Sequence, residues 1–144
     1  MNLIQMASKI KLKSKNKVFG ASCLFYIRLT EKFSVKLYGN KQERDEILYK
    51  QRVAHVCGIA PQSLCKVKVK KYYGYITEHA DTKTGLTIKQ LDELLYKMHK
   101  LGFCTGDLGA YWNSGLINGK PVCIDFDSAS VGSCLLYTSD AADE

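Results

Sequence analysis

The chain has 144 residues, 46% of them hydrophobic and 24% charged, with a formal net charge of +7; such a composition suits one globular domain and excludes a disordered or collagen-like chain. No run approaches the roughly 18 apolar residues that cross a bilayer, and the start, MNLIQMASKIKLKSK, lacks the apolar stretch of a secretory signal, so a cytoplasmic protein without a membrane span is the expectation. Six cysteines, at 23, 57, 65, 104, 123 and 134, include no C-x-x-C pair, which argues against zinc and a disulfide framework and for reduced thiols that act as small hydrophobes.

Residues 18–29, VFGASCLFYIRL, read as strand, turn and strand, and after a turn at 30–32 the segment FSVKLYG predicts a third strand. Asn40 with Glu43 three residues on is a helix-start signature, and QERDEILYKQRVA carries that helix to about His55, before Gly58 and Pro61 break it. Val67 and Val69 alternate with Lys66, Lys68 and Lys70, the period of a strand with one wet face at about 66–69; a second strand follows at about 73–77. Thr87 and Gln90 form a capping box ahead of Ile88, Leu91, Leu94, Leu95 and Met98, an apolar stripe at helical spacing that Gly102 stops. A polar loop, TGDLGAYWNSG, leads to two short strands at 116–117 and 122–124, joined by the turn NGKP. The strand lysines read as solvated, while the basic run KIKLKSKNK keeps a nucleic-acid surface open as an alternative. No aromatic stacking motif supports that alternative, which is disfavoured.

Strands, one helix, two strands, a longer helix, an acidic loop and a short hairpin form an order that resembles the protein-kinase-like superfamily over about residues 11–130. Four motifs carry the resemblance. FSVKLY resembles the strand motif whose lysine holds ATP phosphates, with Lys36 as that lysine; Glu46 in ERDEILYK would pair with it, and Glu43, at the helix start, competes for that role but suits capping. GFCTGDLGAYWNSGLI resembles the catalytic loop, with Asp107 serving the attacking hydroxyl and Asn113 donating an oxygen to magnesium. PVCIDFDSAS resembles the magnesium-chelating segment, with Asp125 as the chelating carboxylate. The departures are Thr105 in place of the usual histidine, a spacing of six rather than five residues from Asp107 to Asn113, Asp127 in place of a glycine, and Gly20 as the single remnant of the phosphate-covering glycines.

The resemblance implies an α+β chain with an N-terminal antiparallel sheet lobe and one helix over about 1–80, then the beginning of a helical C-terminal lobe over about 81–133. It implies a kinase that binds ATP and Mg2+ and transfers the γ-phosphate to a protein or sugar hydroxyl. A small Ser/Thr protein kinase is the first reading; a lipopolysaccharide-core kinase is the second, and a nucleotide-binding pseudokinase the third. Gly20 and Ser22 would approach the phosphates, and the backbone at Glu78 and Ala80 would meet the adenine edge, with His79 between them facing solvent. The last eleven residues, CLLYTSDAADE, resemble the translated adapter of transposase-based sequencing libraries, so 134–144 is expected to be a non-native tail and the kinase-like domain to be truncated and itself inactive. Without that tail the formal charge becomes +10, from 21 basic and 11 acidic residues.

Overall fold

The computed structural model describes residues 2–16, 23–103 and 114–126. Gly20, Ser22, Asp107, Asn113 and the whole 134–144 tail lie outside the described residues. The chain is mixed α+β and divides into two compact units, Met1–Arg52 with Gln62–His79, and Val53–Pro61 with Ala80–Glu144.

The first unit is built on a four-stranded antiparallel sheet of β1 (Cys23–Arg28), β2 (Phe33–Tyr38), β3 (Ser63–Val69) and β4 (Tyr72–Glu78), in the order β1-β2-β4-β3. Register explains its two faces. Phe25 pairs with Leu37, Leu37 with Gly74 and Gly74 with Val67, so the odd positions of β1, β2 and β3 share one face with the even positions of β4. That face is apolar: Phe25, Ile27, Val35, Leu37, Val67, Val69 and Ile76 form a buried cluster with Ala7. Ala7 comes from α1 (Leu3–Ser8), a short helix opened by a reciprocal capping box between Asn2 and Gln5.

The opposite face carries Tyr26, Ser34, Lys36, Tyr38, Tyr73, Tyr75 and Thr77, an unusually polar set for an interior surface. Helix α2 (Lys41–Val56) meets it. Asn40 Oδ1 accepts from Glu43 N–H at 2.8 Å, which is the expected start of that helix. From there α2 turns Arg44, Ile47, Leu48 and Gln51 inward at helical spacing. Gly74 marks the tightest approach of β4 to β2, because a Cβ there would collide with the Lys36 carbonyl and the Leu37 side chain.

The second unit holds the last turn of α2, helix α3 (Ile88–Lys100) and a hairpin of β5 (Ser114–Ile117) and β6 (Lys120–Cys123). Thr87 and Gln90 form the predicted capping box of α3, and Gly102 follows its end at φ +86°. The apolar stripe is narrower than its spacing suggested. Leu94 and Met98 are buried, whereas Ile88, the first helical residue, is 82% exposed. The hairpin turn is also shorter than NGKP: Asn118 (φ 52°) and Gly119 (φ 77°) alone make it, both left-handed as a two-residue type I′ turn requires, and Lys120 and Pro121 already belong to β6. Cys123 N–H donates to the Ile59 carbonyl at 2.8 Å, and His55 Nδ1 lies 2.9 Å from the Ala60 carbonyl, so the chain after α2 is fastened to β6 and to itself.

Candidate functional site

Lys36 is the central residue of the polar sheet face. It stands in the middle of β2, opposite Tyr26 on one side and Tyr75 on the other, and is 7% exposed. Burying an ammonium group is costly unless polar partners surround it. Here the neighbours on its face are hydroxyl-bearing: Ser34 and Tyr38 on its own strand, Tyr75 and Thr77 on β4.

Glu46 does not meet it. The carboxylate is exposed on the outer face of α2, where Oε1 accepts from Gln42 Nε2 at 3.4 Å, and the ion pairs of this helical turn are those of Asp45 with Arg44 and Lys66, at 2.6 and 3.1 Å. Helical phase is the cause, since position 46 lies about 200° around the axis from the inward Arg44. Glu43 is spent on the cap, its Oε2 accepting from Asn40 Nδ2 at 3.3 Å. The hydrogen bond from Arg44, and then that from Lys66, hold the Asp45 carboxyl below its ordinary value against the opposing effect of burial.

The inward polar residues of α2 are Arg44 and Gln51, which sequence reasoning did not single out. Arg44 Nη1 donates to the Gly74 carbonyl at 2.9 Å and reaches the Val67 carbonyl at 3.5 Å, while its guanidinium lies 5.8 Å from the centre of the Tyr73 ring. Gln51, 1% exposed, accepts from the Tyr75 hydroxyl and donates to Thr77 Oγ1, both at 2.7 Å. A buried amide that answers two strand hydroxyls fixes how α2 sits on the sheet.

At the end of β4 the expected adenine-facing stretch splits into distinct environments. Glu78 is committed to local structure: its N–H donates to the Gln62 carbonyl at 2.9 Å and its Oε1 accepts from Gln62 N–H at 2.7 Å. His79 is half-buried instead of facing solvent, because Ser34 Oγ lies 2.6 Å and Tyr26 Oη 3.2 Å from its Nδ1, and its N–H donates to the Lys32 carbonyl at 2.7 Å. Ala80, in the second unit, is 1% exposed, packs with Val122 and Ile124, and among the described residues its backbone N–H and C=O make no hydrogen bond. The next residue, Asp81, exchanges both backbone hydrogen bonds with Leu116 at 2.9 Å. Gly115 lies so close beneath that a Cβ on it would meet the Asp81 carbonyl oxygen at 2.9 Å.

Asp125 follows β6 and is half-buried between the buried Ile124 and Phe126, with Phe126 edge-on to Phe103 at 6.5 Å. Among the described residues no group of three or more His, Cys, Asp or Glu gathers as a metal set.

The first unit thus holds Lys36, Glu46 and Glu78, and the second Ala80 and Asp125. Comparison of the sequence with family models and with curated proteins finds no match. No helix among the described residues is long and apolar enough to cross a membrane.

Proposed function

We propose that the chain binds ATP with magnesium as part of a protein-kinase-like phosphotransferase, and the observation that carries this reading is the buried Lys36 on the polar face of the sheet. A lysine held at mid-strand presents a fixed cation to phosphate oxygens, whereas surface lysines are solvated and mobile. Two further features support it. Among the described residues β1, β2, α2, β3, β4, α3 and the β5–β6 hairpin follow one another in the expected order, while the first of the three expected opening strands falls outside them. Ala80 offers a buried donor and acceptor three atoms apart on one residue, which the edge of a purine could satisfy.

In this reading Lys36 binds and orients phosphate oxygens, and Asp125 with Asn113 holds magnesium, which neutralises phosphate charge when bound. Asp107 takes up the proton as the acceptor oxygen forms its bond to the γ-phosphorus; the bond from that phosphorus to the β–γ bridging oxygen breaks, and ADP leaves with the electron pair. Gly20 and Ser22 would approach the phosphates, and the backbone at Glu78 and Ala80 would meet the adenine edge. The acceptor is a protein Ser/Thr hydroxyl, with a sugar hydroxyl of lipopolysaccharide-core type as the alternative that Thr105 favours.

A second reading, nucleotide binding without transfer, is favoured by Glu46, which faces outward and leaves the inward place on α2 to Gln51. Calorimetric titration of ATP with and without magnesium tests the shared part. Lys36→Met should abolish binding, with circular dichroism to check that the variant folds. Asp125→Ala should bind ATP with no magnesium dependence. Unaltered binding in Lys36→Met, or no binding by the parent chain, would sink the proposal, and phosphate transfer by the complete enzyme separates the two readings.

A further inference from the structure

The N-terminal basic run has a defined seat in the first unit. Along residues 9–13 burial alternates: Lys9, Lys11 and Lys13 are exposed, while Ile10 and Leu12 are half-buried against the apolar cluster of the sheet. The segment leaves α1, which lies against β3, and reaches the 3-10 turn Ser14–Asn16, which lies against β1. Since β3 and β1 are the two edges of the sheet, the segment crosses the whole apolar face, apolar side chains down and ammonium groups up. Alternate residues of an extended segment stand about 7 Å apart, so these lysines form a row.

Two further lysines extend it. Lys15 is exposed in the turn itself. Lys71 joins from the β3–β4 connection on the same side, its Nζ 5.5 Å from the centre of the Tyr72 ring, which packs edge-on against Phe25 of the same cluster. Residues 2–30, which carry four of these lysines, contain no Asp or Glu. The first unit as a whole has 16 Lys and Arg against 5 Asp and Glu, a formal +11, and the second 5 against 9, a formal −4. In α1, the helix that leads into this segment, Ile4 is 53% exposed.

We infer that this face of the first unit docks on an anionic lipid surface, with Lys9, Lys11, Lys13, Lys15 and Lys71 against the headgroups and Ile4 entering the interface. The composition of the surface selects this partner over a nucleic acid. Single-stranded nucleic acids are held by basic grooves with aromatic platforms, and phosphate recognition of fixed geometry favours arginine forks. Here the charges are all lysines, and the exposed Tyr49 stands on α2, which covers the opposite face of the sheet. Point charges in a row, with one exposed apolar side chain, match a fluid array of headgroups, where polybasic attraction and apolar insertion act together.

Vesicle co-sedimentation of the chain tests this, with phosphatidylcholine vesicles compared with vesicles that also contain phosphatidylserine. Binding should require phosphatidylserine and weaken as salt is raised. Replacing Lys9, Lys11, Lys13 and Lys15 together by Gln should weaken it by about two to three orders of magnitude, at about fivefold for each lysine, and Ile4→Ser should weaken it several-fold. A control variant with Lys83, Lys89, Lys97 and Lys100 replaced by Gln removes the same charge from the second unit and should bind like the parent; circular dichroism checks that both variants fold. Equal losses in the two quadruple variants would show an effect of net charge alone and overturn the proposal. Equal binding to both vesicle types, no binding to either, or displacement from anionic vesicles by a single-stranded oligonucleotide at the same phosphate concentration would overturn it as well.

Discussion

The Tyr75 hydroxyl donates a 2.7 Å hydrogen bond to Gln51 Oε1, and through it strand β4 is tied to helix α2 on the sheet face that carries Lys36. Gln51 Nε2 completes the link by donating to Thr77 Oγ1. Removing the amide takes one buried hydrogen bond from each strand hydroxyl and leaves a small cavity, while Thr77 Oγ1 keeps the Gln62 carbonyl within 3.3 Å. Gln51→Ala should therefore cost about 2–4 kcal/mol, the sum of the cavity and of the lost hydrogen bonds. Chemical denaturation of Gln51→Ala, Tyr75→Phe and the double variant closes a cycle whose coupling energy should exceed about 0.5 kcal/mol. An additive cycle would mean that the bond does not hold the helix.

Gly74 predicts a second, steeper loss. It sits where β4 passes closest to β2, and its carbonyl accepts from Arg44 on the other side of the sheet. An added methyl would strike the Lys36 carbonyl as well as the Leu37 side chain, and the backbone group has no rotamer by which to move away. Gly74→Ala should destabilise by about 3 kcal/mol, the upper end of over-packing, while Gly39→Ala, where the nearest atom is the Leu24 Cδ1 at 3.5 Å, should change stability far less. Thermal melts of the two variants make the comparison directly.

What could be read from the sequence is what local chemistry encodes. Thr87 with Gln90 and Asn40 with Glu43 announce α3 and α2 because a cap is a contact across three residues. Asn2 with Gln5 is the same signal, yet α1 escapes, since a helix of six residues is marginal alone and exists here because Leu3 and Ala7 settle on the sheet. The partners of Arg44 and Gln51 are decided by strand register and helical phase across 23 to 30 residues of chain. No spacing rule reports that phase to within one residue. That is why Glu46 is a reasonable choice from the sequence and Gln51 is the residue found facing the strands.

Asp45 supplies a test in pH. Its carboxyl is held below the ordinary value by the Arg44 hydrogen bond first and the Lys66 hydrogen bond second. A depressed folded-state value means that its contribution is present above the unfolded-state value and is lost as pH falls through the folded-state value. With the side chain 37% exposed, screening limits the contribution to about 0.2–1 kcal/mol. Asp45→Asn should thus be slightly less stable than the parent at neutral pH and equal to it in acid below the folded-state value. A difference that grew on acidification would have the wrong sign for this ion-paired carboxylate.

Ala80 gives the most local test of the nucleotide reading. Its amide is buried but makes no hydrogen bond among the described residues, whereas the amide of Asp81, one position on, already donates to the Leu116 carbonyl at 2.9 Å. A purine edge that accepts from Ala80 N–H would add a bond there and none at Asp81. Hydrogen exchange of the chain with magnesium and ATP should therefore slow at Ala80 by about tenfold or more, the ratio that about 1.4 kcal/mol of added protection produces, while Asp81 changes little. Adenosine should give the same local effect at a higher concentration, because in the nucleotide reading the contact would belong to the base and Lys36 would act on the phosphates. If ATP binds and the Ala80 amide exchanges as before, the adenine lies elsewhere, and Ala80 is an orphaned amide with a purely structural history.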